Sequence, residues 1–155
     1  MSYSVAVLDD GVAARVRATL EAPDYGHPAH AEVADDDAPC RVCLGRFEPG
    51  EERRLLFTYD PFRGDTFPLP GPIFIHADGC TPHPAAEPLP LTIAGHPVTL
   101  VAYGDGRRQL GEYRVDGRDE LEERAGELFG DDTVDYMHVR STSAGCFICR
   151  LDRPA

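Results

Sequence analysis

The chain has 155 residues, with 15 basic against 27 acidic side chains, a formal charge of −12, and 42% apolar residues to build a core. Every cation is arginine, and lysine, asparagine and tryptophan are missing altogether. These absences exclude an internal Schiff base, a phosphate-loop lysine and a Cys-His-Asn triad, and the net charge argues against nucleic acid and membrane surfaces as partners.

Asp9 or Asp10 caps a predicted helix that carries Val12, Val16 and Leu20 at four-residue spacing and ends before Pro23. Residues 24–39 read as an acidic loop. Residues 55–59 follow the Pro49-Gly50 turn and read as a strand, closed by Asp60-Pro61. A second strand, 73–77, lies between two proline-rich loops, with Pro61, Pro68, Pro70 and Pro72 before it and Pro82, Pro84, Pro88, Pro90 and Pro97 after. Such loops exclude helix and central strand. Residues 98–103 and 109–115 flank Gly104-Asp105-Gly106 as a hairpin. Residues 119–129 set Leu121, Ala125, Leu128 and Phe129 at helical spacing and stop at Gly130, a natural left-handed C-terminal residue. Residues 134–140 and 146–151 alternate polar and apolar around a Ser-Thr-Ser-Ala-Gly turn and form a closing hairpin.

Without repeats, linkers or regular strand–helix alternation, the expectation is a single α+β domain over 1–155, mainly antiparallel sheet with two packing helices. No apolar stretch approaches the roughly 20 residues of a membrane span. The N-terminus carries no basic flank or apolar run of signal-peptide type, so the expected location is cytoplasmic. In that reducing setting an odd number of cysteines favours thiols or metal ligands over disulfides.

Cys40-Arg-Val-Cys43 and Cys146-Phe-Ile-Cys149 are two C-x-x-C pairs where chance predicts ~0.13. One reading is a four-thiolate zinc site that staples the chain. Against it, Arg-Val and Phe-Ile are strand-like, and residues three apart on a strand face opposite ways, which leaves ordinary buried thiols. A second metal-capable set, His76, Cys80 and His83, occupies a strand end running into a proline-rich loop. Tyr136, His138 and Arg140 alternate along one strand, with Met137 and Val139 on its other face. Either Met137 and Val139 face the core and the polar triplet faces water, or the triplet is buried and needs partners. In the second case Arg140 suits a small anionic ligand.

The resulting site hypothesis gathers His76 and His138, if their strands pair, with Arg140 and one of Cys40 and Cys146. In a catalytic version His76 and His138 move protons or bind metal, and Arg140 holds an anionic substrate. In a non-catalytic version the protein binds a small anion or a metal ion, zinc among the candidates, as a sensor or accessory protein. In a structural version the Cys/His set is a satisfied core network or a structural zinc site.

Pro39-Cys40-Arg41, Tyr59-Asp-Pro-Phe62, Gly71-Pro-Ile-Phe-Ile-His76, His138-Val-Arg140 and Gly145-Cys146-Phe147 together resemble a family of short bacterial proteins, the domain of unknown function family number 1203. The resemblance implies one bacterial cytoplasmic domain. It sets Cys40, His76, His138, Arg140 and Cys146 at motif positions and ties Cys43 and Cys149 to them less closely. The turn at 141–144 departs from the asparagine-containing turn associated with that family.

Overall fold

Asp9 opens the first helix as its sequence suggests, with its carboxylate accepting from the Gly11 and Val12 amides at 2.8 and 3.3 Å. The coordinates are a computed structural model that describes every residue except Gly64, Thr66 and Ala155. The elements in order are β1 (Ser4–Ala6), α1 (Asp10–Thr19), β2 (His30–Val33), β3 (Arg53–Tyr59), β4 (Gly71–His76), α2 (Leu91–Ala94), β5 (Val98–Gly104), β6 (Arg108–Val115), α3 (Arg118–Phe129), β7 (Tyr136–Ser141) and β8 (Phe147–Asp152). This is an α+β chain with two antiparallel sheets. It divides into two compact units, residues 8–82 and residues 1–7 with 83–155.

In the unit of residues 8–82, β2, β3 and β4 form a three-stranded antiparallel sheet in that order. The pairing sets Leu55 opposite Ile75, Phe57 opposite Ile73 and Arg54 opposite His76. Val12, Ala13 and Val16 of α1 join Leu55, Phe57, Ile73 and Ile75 in one apolar cluster with Cys40, Val42 and Phe47. Leu20, expected on the same stripe, instead closes α1 in a left-handed conformation (φ 56°) and is half exposed. Two further expectations change. The acidic loop contains β2, an edge strand whose side chains are mostly exposed and so carry no apolar alternation. Pro72 lies inside β4, which is tolerated because β4 is also an edge.

Arg54 is almost fully buried and binds three carboxylates, Glu32 at 3.0 Å, Asp35 at 2.9 Å and Asp36 at 2.7 Å. Its guanidinium also stacks 3.9 Å from the Phe74 ring centre. The clamp ties β2 and the chain after it to β3 and β4.

In the unit of residues 1–7 and 83–155, the sheet order is β1-β8-β7-β5-β6, all antiparallel. The hairpin turn at 105–107 carries Gly106 and Arg107 at positive φ, 65° and 62°. Pro90 stands at the N-cap of α2, a short helix that the proline-rich loop had hidden. Gly130 is right-handed (φ −69°) rather than left-handed, so it does not close α3 in the expected way. Arg153 does the work instead, donating to the Phe129, Asp131 and Val134 carbonyls at 2.6, 2.9 and 2.7 Å. Both faces of β7 are covered at its centre, since Met137, His138 and Val139 are all buried. The choice between the two faces of that strand is thus resolved in favour of both. Among the described residues no helix is long and apolar enough to cross a membrane.

Candidate metal centre

Cys40-Arg-Val-Cys43 is a turn, not a strand. The Leu44 amide donates to the Cys40 carbonyl at 2.9 Å, and the Cys40 amide donates to the Gly45 carbonyl at 3.0 Å. Leu44 takes a left-handed conformation (φ 59°) to complete the reversal, its side chain buried in compensation. With the chain bent in this way, both sulfurs face the same point. The Val42 amide points at Cys40 Sγ, 3.5 Å away, and the Gly45 amide at Cys43 Sγ, 3.4 Å away. Each cysteine therefore receives a backbone N–H from two residues onward, which stabilises thiolate character.

The end of β4 supplies the other half. The Arg41 amide bonds the Phe74 carbonyl at 3.0 Å, holding the cysteine turn against β4 just before His76. Beyond the strand the chain bends through Gly79 (φ 93°) and brings Cys80 back. Cys40 Sγ lies 3.8 Å from Cys80 Sγ, and Cys43 Sγ lies 3.6 Å from His76 Nδ1. One donor atom from each of Cys40, Cys43, His76 and Cys80 lies within 4.8 Å of all the others, so the group can hold a metal ion.

Three surrounding residues, Glu52, Arg17 and Phe47, make further contacts. His76 Nε2 lies 3.1 Å from a Glu52 carboxylate oxygen, which fixes the ring and leaves Nδ1 toward the sulfurs. Arg17, in the last turn of α1, donates from Nε to the His76 carbonyl at 2.9 Å and from Nη2 to Cys80 Sγ at 3.6 Å. Phe47 packs against the imidazole with ring centres 4.3 Å apart. Among the sulfurs, the Cys40 thiol is held down to about 4, first by the hydrogen bond from Cys43 and, against burial, by backbone amides. Cys43 is pushed up because it donates to Cys40, and Cys80 is pushed up by burial and then by the charge on Cys40.

The structure brings together two residues from each metal-capable set expected from spacing. Cys40 and Cys43 come from the C-x-x-C set, and His76 and Cys80 from the other. His83 belongs to the other unit, with Nε2 3.2 Å from the Glu87 carbonyl oxygen. Cys146 and Cys149 also belong to that unit. Cys146 is partly exposed and donates to the Ala144 carbonyl at 3.8 Å, while Cys149 is buried in β8. His76 and His138 lie on strands of different sheets, so the pairing that would have joined them with Arg140 does not form. Glu52 and Arg17 carry no signal in the sequence, because neither stands in a motif with the ligands they touch.

No curated protein and no solved structure matches the chain. A family model described as Protein of unknown function (DUF1203) matches residues 37–153, and the chain belongs to that family.

Proposed function

We propose that this protein binds one zinc ion through Cys40, Cys43, His76 and Cys80, and that the ion is structural. The carrying observation is the spacing of the donor atoms. With Zn–S of about 2.3 Å and Zn–N of about 2.05 Å, a tetrahedral site sets two sulfurs about 3.8 Å apart and a sulfur and a nitrogen about 3.6 Å apart. The Cys40–Cys80 and Cys43–His76 separations of 3.8 and 3.6 Å match those edges.

Three thiolates and one imidazole are the donor set of closed structural zinc sites, and four protein ligands leave no open position for a substrate. Soft sulfur ligands also disfavour magnesium and calcium. Zinc with three thiolates and a neutral imidazole retains one net negative charge, which the Arg17 guanidinium beside Cys80 offsets. In this reading His76 is a ligand rather than a proton-transfer group, and the ion ties the cysteine turn, the end of β4 and the following loop at Cys80 to one point.

The test is elemental analysis of protein purified without chelator, run beside thiol titration of the folded chain. One zinc per chain is expected, with Cys40, Cys43 and Cys80 slow to react until a chelator is added. Sub-stoichiometric metal, together with thiols that react equally fast before and after chelation, would overturn the reading.

A further inference from the structure

We infer a second site, independent of the metal reading, in which Arg140 on β7, flanked by His138, binds a small oxyanion, a carboxylate or a phosphate. Tyr136, His138 and Arg140 project from one face of β7, and a register shift between Val139 and Arg140 interrupts the ladder at the arginine. Arg140 Nη1 donates to the Gly145 carbonyl at 3.1 Å. Its Nη2 is shut off from solvent and meets no hydrogen-bond partner among the described residues. A charged donor left in that state bears its desolvation cost uncompensated, and an oxyanion is the natural group to relieve it.

The neighbours carry the same sign. His138 is 2% exposed and is enclosed by the rings of Tyr103, Tyr136 and Phe147 at 5.1, 5.5 and 4.9 Å. Burial, then Arg140, Arg150 and Arg107, push its imidazole down to about 3, so it is neutral at pH 7. Each of those named charges is positive, in a chain whose formal charge is −12. Arg150 stands directly opposite His138 on β8, although Asp152 occupies its Nε at 2.6 Å. Thr99 stands opposite Arg140 on β5, and its hydroxyl lies 3.0 Å from that of Thr142. A guanidinium nitrogen, a pair of hydroxyls and a positive field are the components that recognise a small anion with several oxygens.

The experiment uses the full chain in a buffer free of phosphate and carboxylate. Thermal melting and calorimetric titration are run with inorganic phosphate, with acetate and with sodium chloride at matched ionic strength. Saturable stabilisation by phosphate or acetate beyond that of chloride is expected, and the stronger of the two identifies the oxyanion. Arg140→Gln should weaken that binding at least tenfold, whereas Arg108→Gln on exposed β6 should leave it unchanged. Anion-free Arg140→Gln also loses the Nη1 bond to the Gly145 carbonyl, so its own anion-free melt is the baseline for its response to each salt. A parallel titration followed by the His138 ring resonances of the wild type keeps the inference testable if the variant folds poorly. Identical responses to all three salts, an undiminished response in Arg140→Gln, or His138 resonances that do not move would each overturn it.

Discussion

His76 and His138 are both buried imidazoles on strands, each packed against aromatic rings, yet their surroundings carry opposite charge. His76 has three sulfurs near one ring nitrogen and the Glu52 carboxylate on the other. His138 has aromatic rings around it, and Arg140, Arg150 and Arg107 all act against its protonation. The first environment suits a cation and the second repels one, including a proton. Residue type and burial are alike in the two cases, so the difference comes from what the fold carries up to each ring.

The largest effect should come from breaking the His76 side of this contrast. Chelation, or Cys43→Ser, removes an interaction that contributes about 10 kcal/mol of apparent binding free energy in small zinc modules. The melting temperature should fall by roughly 10 °C or more, by calorimetry, with the zinc content of the variant near zero. A melt unchanged by chelation would remove the contrast.

The His138 side is sharpened by pH. Its folded value is about 3 against about 6.5 in the unfolded chain. Between those values the unfolded chain holds a proton that the folded chain does not, so stability falls as pH drops through that window. The slope is about 1.4 kcal/mol per pH unit, which makes the wild type about 2 kcal/mol less stable at pH 5 than at pH 7 from this group alone. Urea denaturation of wild type and His138→Phe at both pH values isolates the contribution, and the variant should show the smaller loss.

Smaller again is the orienting role of Glu52. Glu52→Gln should weaken zinc binding about 10- to 100-fold, read by competition with a chromophoric chelator, while zinc still binds one to one at saturation. Last comes Gly45→Ala, whose new methyl group would lie 3.3 Å from Cys43 Sγ. A shift of a few tenths of an ångström absorbs that contact, so the expected change is under about 1 kcal/mol in stability with full zinc content.

Much of the fold was legible because its periodic segments bury one face. The Asp9 cap with Val12 and Val16, the β5–β6 hairpin, α3 and the β7–β8 hairpin all follow from spacing and turn residues. β2 escaped because an exposed edge strand has no apolar face to display, and α2 because it occupies a single turn between Pro90 and Pro97. The metal group was legible only in halves. Its four residues stand in two short motifs separated by β3, and nothing local says that the Arg41 amide will find the Phe74 carbonyl. Arg41-Val42 also has strand chemistry, and the turn through Leu44 works against the conformational preference of leucine. A buried tertiary environment overrides that preference.

The two amides directed at sulfur have a practical consequence for observing the centre. Val42 and Gly45 spend their N–H groups on Cys40 and Cys43, so exchange of those two protons with solvent requires the turn to open. In the proposed zinc site, a closed four-ligand shell would offer the ion no exit without the same opening. The residence time of the metal and the lifetime of these two amide protons should therefore report one motion, and ordinary hydrogen-exchange kinetics becomes a clock for metal release.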